Sequence, residues 1–230
     1  MSETVDVVIP IFNEVATVAE LHARLRAACP AAHVVFVDNG STDGTLAALE
    51  RLPDVTLIRH ARDLGYGRSL LDGIGAGSGE LIVMIDADLE YLPEDVPAVV
   101  DALSRAPAVY GSRFLGRTSS DPVMPAVRRV GNQVVTSLFN VLFRQRLTDL
   151  YTGIRGVQRR ALPASGLRRP GFDVVLELAA RLAAEGAHIA EVPVRYVPRT
   201  QGRSKMRHVP EFLKFARLLV ELRLEQPGST

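Results

Sequence analysis

Leu81-Ile82-Val83-Met84-Ile85 runs directly into Asp86-Ala87-Asp88-Leu89-Glu90. An unbroken apolar run of this length reads as a strand buried on both faces, the habit of parallel sheets. Working outward, Val5–Pro10, His33–Val37 and Val55–Arg59 are runs of the same kind. Thr17–Cys29, Gly44–Leu52 and Gly67–Ala76 between them have helical length and spacing. Asp43 is a candidate N-cap for the second of these, and Pro93 suits the first position of a helix running to about Leu103. The alternation predicts an α/β fold, a doubly wound and mostly parallel sheet with flanking helices.

In such sheets ligands bind at the carboxyl ends of the strands, so polar residues should gather there. They do: Asn13-Glu14, Asp38-Asn39, Arg62-Asp63, and Asp86 with Asp88 follow the four runs. Two carboxylates at i and i+2 can both face one rim where the strand bends. Oxygen ligands of this type suit Mg²⁺ or Mn²⁺ bridging a diphosphate, and one or two carboxylates suffice because the phosphates supply the rest. Glu90 is a candidate third ligand. The loop Asp38–Thr45, read DNGSTDGT, supplies glycines for close backbone approach and places Asp38 where a base or ribose could be hydrogen-bonded.

The second half differs in character. Phe114–Pro122 reads as a polar loop and Met124–Phe143 as a long amphipathic helix. A strand is predicted near Ile154–Gln158, helices near Arg160–Ser165 and Asp173–Glu185, and a strand over His188–Tyr196. Val197–Arg207 is a basic loop. A final helix, about Val209–Glu225, carries Phe212, Phe215, Leu219 and Leu222 on one stripe and Lys214, Arg217 and Glu221 on another. On the long helix Val127, Val130, Val134, Leu138, Val141 and Leu142 form an apolar stripe with Arg128, Arg129 and Arg144 near the ends. That pattern fits either a membrane interface or a core or homodimer contact.

Composition narrows the function classes. The 230 residues carry a net charge of only +1, yet eleven arginines and two acids fall between 113 and 169. Such a segment predicts an anionic ligand or surface: phosphate, nucleotide or lipid headgroup. Nucleic acid is disfavoured, because neither zinc spacing nor an RNA-binding aromatic signature accompanies the charge. Cys29 is the sole cysteine, so an internal disulfide is excluded. The start MSETVDVVIP lacks the basic and apolar regions of a signal peptide, and no apolar run reaches the ~20 residues of a membrane span. The expectation is a cytoplasmic protein whose membrane contact, at the inner face, is peripheral.

Taken in order, these motifs resemble the inverting glycosyltransferases of family 2, of GT-A fold. The resemblance rests on Val8-Ile9-Pro10-Ile11-Phe12-Asn13-Glu14, the Asp38–Thr45 loop, Leu64-Gly65-Tyr66-Gly67, and Asp86 to Glu90 with Pro93-Glu94. Gly111-Ser112-Arg113, Arg129 with Gly131-Asn132, Asp149 through Gly153-Ile154-Arg155, Glu191-Val192-Pro193-Val194 and Arg199 through Lys205 are similar to the polyprenyl-phosphate mannose and glucose synthase branch. The resemblance implies a single domain over 1–230. Residues up to about 112 would bind the nucleotide-sugar, those from about 113 to 207 the acceptor, and 208–230 would form a helix and tail. It implies that Pro10, Phe12, Glu14 and Asp38 hold the nucleoside, and that Asp86, Asp88 and Glu90 bind a divalent metal, Mg or Mn. Arg113 and Arg155 would contact phosphate oxygens, Asp149 would face the acceptor, and Arg199 with Lys205 would close over the donor. GDP-mannose and UDP-glucose are the implied donors, and a polyprenyl phosphate the implied acceptor. A soluble hydroxyl acceptor, with Asp149 as base, and a non-catalytic nucleotide-sugar-binding protein are the alternatives. Three departures stand out: Glu90 where Gln is usual, Asn39 and Asp63 where Asp and Asn are usual, and no membrane helices after residue 207, which some family members have.

Overall fold

In the computed structural model the described residues are 3–116, 126–164, 166–198 and 208–225, with side chains omitted at 126–128 and 208–213. Seven strands form one sheet: β1 (Val5–Ile11), β2 (His33–Asp38), β3 (Val55–Arg59), β4 (Leu81–Ile85), β5 (Ala108–Ser112), β6 (Ile154–Gln158) and β7 (Ile189–Pro193). Their order is β3-β2-β1-β4-β6-β5-β7. β6 alone runs antiparallel, against both β4 and β5. Sequence order reverses between β1 and β4, so a crevice opens above their carboxyl ends.

Side chains alternate between the two faces, as the period of a strand requires. Val7, Ile9, Val34, Phe36, Val83 and Ile85 meet α1 (Val18–Ala28), α2 (Thr45–Leu49) and α4 (Val96–Leu103) on one side. Val8, Val35, Val37, Ile82 and Met84 meet α3 (Tyr66–Ala76), α5 (Ala126–Phe143), α6 (Val174–Ala184) and α7 (His208–Leu224) on the other. All five residues of β4 are buried, as its composition demands.

Several expectations are corrected. β3 is a sheet edge and only half-buried, with Arg59 exposed, where burial on both faces was expected. β5 has no counterpart in the sequence reading. The helix expected near Arg160–Ser165 is a single 3₁₀ turn, Arg159–Ala161. Pro93 opens a 3₁₀ turn, Pro93–Asp95, ahead of α4. The N-cap of α2 is Gly44 in the left-handed region; Asp43 instead binds the Thr45 N–H at 3.0 Å and the Thr45 hydroxyl at 2.6 Å. On α5 the buried face is Asn132, Val135, Thr136, Phe139 and Phe143, while Val130, Val134 and Val141 of the expected stripe face outward. Three of the eleven arginines in the basic segment are paired with acids: Arg113 with Asp149, Arg159 with Asp6, and Arg169 with Asp173.

Candidate active site

A cleft of about 530 Å³ lies over the carboxyl ends of β1, β2 and β4. Pro10, Phe12, Glu14, Asn39 and Asp63 line the end above β1 to β3. Tyr66, Asp86, Asp88 and Glu90 lie over β4, and Gly171, Phe172, Asp173, Lys214 and Phe215 close the remaining side. Of the strand-end polar groups expected to gather, Glu14, Asn39, Asp63, Asp86 and Asp88 line this one cleft, whereas Asn13, Asp38 and Arg62 are not part of its lining.

The acids over β4 are held from several directions. The Tyr66 hydroxyl donates to Asp86 Oδ1 at 2.8 Å, and the Asp86 N–H bonds the Gly153 carbonyl at 3.1 Å. The Thr17 hydroxyl bonds the Ala87 carbonyl at 2.8 Å, tying the start of α1 to the acidic turn. Asp88 Oδ1 accepts the Glu90 N–H at 2.9 Å, and Leu89 between them takes φ +59°. A leucine in the left-handed region is costly and persists only where its surroundings fix it. Asp86 keeps some exposed surface, but its carboxyl sits deep enough that desolvation, added to the neighbouring Asp88 charge, raises its pKa to about 7. Among the described residues, no group of three His, Cys, Asp or Glu side chains is placed to hold a metal ion by itself.

The pair Gly65 and Gly67 explains how Tyr66 reaches Asp86. Gly65 has φ +95°, and a Cβ on Gly67 would collide with the Arg169 carbonyl and lie 2.8 Å from that of Gly171. The backbone of 169–171 thus packs directly on the start of α3, and Phe172 meets the Tyr66 ring at 5.0 Å. Gly67→Ala should therefore push 169–171 away. The expected result is a loss of about 1–3 kcal/mol, seen as a lower urea midpoint, together with weaker nucleotide binding. An unchanged midpoint would mean the loop yields freely.

Three expected site residues lie beneath the cleft surface. Asp149 is completely buried. Its Oδ2 accepts Arg113 N–H (3.1 Å) and Nε–H (2.7 Å), and its Oδ1 accepts Arg113 Nη2 (2.8 Å) and Asn132 Nδ2 (2.6 Å). Glu191 in turn accepts the Thr148 and Asp149 N–H groups at 2.8–2.9 Å. Arg113 sits among the rings of Tyr91, Phe114 and Tyr196, 5.5–5.8 Å from their centroids. Arg155 on β6 is fully enclosed under Asp86, over the Tyr110 ring at 5.9 Å. Its Nη2 bonds the Thr152 carbonyl, and its Nε and Nη1 find no acceptor among the described residues.

Asp38 is also buried and accepts the Ser41 N–H; its neighbour Asn39 lines the cleft instead. Arg199 and Lys205 lie outside the described residues. Lys214, expected only as part of the polar stripe of the last helix, is brought to the cleft beside Phe215 by the turn of α7; adjacency to a core position was the available signal.

The glycosyl transferase family 2 model matches residues 6–165, a span containing both acids and the sheet from β1 to β6. The chain belongs to glycosyl transferase family 2. This family 2 transferase is 28% identical over 223 residues to the dolichol-phosphate mannosyltransferase of Saccharomyces cerevisiae, covering 90% of this chain and 82% of the relative. It is 30% identical over 213 residues to the polyprenol monophosphomannose synthase of Mycolicibacterium smegmatis, covering 87% and 80%. The glucosyl-3-phosphoglycerate synthase of Mycobacterium tuberculosis, solved with Mn²⁺, UDP and phosphoglyceric acid, superposes with a TM-score of 0.73 over 99% of this chain and 81% of that one, at 21% identity. The fold of this family 2 transferase is accordingly GT-A.

Proposed function

We propose that the chain transfers a hexose from a nucleoside-diphosphate sugar to a polyprenyl phosphate, inverting the anomeric carbon in a single in-line displacement. The observation that carries the choice of acceptor is the state of Asp149. A hydroxyl acceptor needs a general base with a lone pair free to take a proton. Asp149 has no exposed surface, and its two oxygens are occupied by four donors from Arg113 and Asn132. A phosphate monoester needs no base, since its second pKa is roughly 6 and it is already a dianion near neutrality. Asp149 then acts by fixing the Arg113 cation beneath the cleft.

The donor lies with its nucleoside over β1 to β3 and its diphosphate toward Asp86 and Asp88. The donor set there fits a hard divalent cation: two nearby carboxylates, one raised to about 7 by burial and by the other's charge, are relieved by positive charge. Asp86 and Asp88, with Glu90 adjoining, would hold Mg²⁺ or Mn²⁺, which supplies charge against the departing diphosphate. Tyr66 keeps Asp86 aimed at the cleft, and Arg155 beneath it offsets the accumulated negative charge. Lys214 adds a cation at the mouth.

A lipid acceptor is supported by the surface beside the site. α7 lines the cleft through Lys214 and Phe215 and, further along, exposes Val220 and Leu224; its neighbour α5 exposes Val130, Val134 and Val141. Among the described residues no helix is long and apolar enough to cross a membrane.

The test pairs GDP-mannose or UDP-glucose with a short polyprenyl phosphate and Mg²⁺ or Mn²⁺. Nucleoside diphosphate release should require the lipid phosphate and should fall off below roughly pH 6, as the acceptor takes up its second proton. Donor consumption that needs a soluble alcohol instead would move the reading to a hydroxyl acceptor. Binding without consumption would leave a nucleotide-sugar-binding protein.

A further inference from the structure

Beyond the acids over β4, the opposite end of the cleft contains a connected polar chain that the transfer chemistry does not use. Asn39 Oδ1 accepts the Leu64 N–H at 2.9 Å and faces His60 Nδ1 at 3.0 Å. This fixes the amide the other way round, so that Nδ2 donates to Asp63 Oδ1 at 2.5 Å. The Gly65 N–H donates to the same Asp63 oxygen at 2.8 Å. His60 is itself anchored, its Nε2 lying 2.9 Å from Asp72 Oδ2, and its side chain is only 6% exposed. Asp63 is exposed, yet its carboxylate is clamped in one orientation. Oδ1 carries both bonds, and Oδ2 has no partner among the described residues.

We infer that Asp63 reads the donor's nucleobase and selects guanine over uracil, with His60 and Asn39 as the residues that position it. The inference rests on the nucleotide-sugar reading given above. An ionised carboxylate only accepts hydrogen bonds. Guanine presents two adjacent donors on one edge, N1–H and the N2 amino group, and Oδ2 with both lone pairs open can take either or both. Uracil presents a single N3–H flanked by two carbonyl oxygens, which face the carboxylate with like charge. Those carbonyls require donors of their own. Among the described residues, the side chains lining this end (Pro10, Ile11, Phe12, Glu14, Asn39 and Asp63) include no cation and no hydroxyl, and the Asn39 amide is turned to Asp63. A site built to satisfy a donor discriminates against a ligand that lacks it, because the polar group is then left unpaired.

The chain has no tryptophan, so binding is read by calorimetry, with GDP and UDP at fixed Mn²⁺. The wild-type chain should bind GDP at least about tenfold more tightly than UDP, a difference of about 1.4 kcal/mol. Asp63→Asn keeps shape and removes the second acceptor; its GDP-to-UDP ratio should fall to within about threefold, mainly by weaker GDP binding. His60→Gln leaves Asp63 in place but loosens Asn39, and its ratio should lie between those two, an effect that simple destabilisation would not produce. UDP binding equal to or tighter than GDP, or an Asp63→Asn ratio equal to wild type, overturns the base assignment and leaves sugar transfer intact. Failure to bind either nucleotide overturns both.

Discussion

Replacing Asp88 with alanine should lower turnover by about a thousandfold or more at every Mg²⁺ or Mn²⁺ concentration, while the fold remains. The loss is large because charge develops on the departing diphosphate, and groups placed against that charge act in the transition state more than in the ground state. Asp88 lies at the surface of the cleft, whereas Asp86 is sunk beside Tyr66 and Arg155. The bond to the Glu90 N–H that the substitution removes is worth about 1 kcal/mol, small beside the expected loss of turnover. The measurement is single-turnover product formation across a metal titration, with circular dichroism as the control. Activity within tenfold of wild type would sink the assignment of Asp88 to the metal.

The second large effect is on stability. Asp149→Ala leaves Arg113, 10% exposed and ringed by Tyr91, Phe114 and Tyr196, without its carboxylate. Breaking a buried pair by removing one partner costs about 3–5 kcal/mol, since the surviving charge stays desolvated. In a chain of this size that corresponds to a fall in Tm of about 10 °C. Activity drops as well, because Arg113 loses its aim. Asp149→Asn, which keeps the shape and part of the bonding, should restore some stability and activity together. A variant with wild-type stability but no turnover at any pH would instead mark Asp149 as a base and revive the hydroxyl acceptor.

Most of the α/β frame was legible because buried parallel strands leave an unmistakable mark, as in Leu81–Ile85. The acidic rim followed from the same reading, since a strand that ends must deliver its next residues to the sheet edge. β5 was missed because Ala108–Ser112 is short and lies between Pro107 and a glycine-containing turn, with little apolar run to notice. The Arg113–Asp149 pair joins positions 36 apart in two loops, and nothing local in either loop says that both are buried. The outward valines of α5 were taken with inward ones as a single stripe. Helical periodicity gives the spacing of a stripe but not which side meets the core. Asn39 and Asp63 were noticed as departures from a pattern, but their mutual bond emerged only from the fold.

The antiparallel strand β6 has a consequence for how the chain comes to be. β4 and β5 are not paired with each other; β6, from residues 154–158, lies between them. A nascent chain that has emerged only to residue 112 therefore holds two apolar strands with a gap where their shared neighbour belongs. Such unpaired edges invite misassociation, and contacts over this sequence distance form slowly. The sheet can close only once residue 158 is available, so the acids over β4 and the segment that supports them reach their final form together.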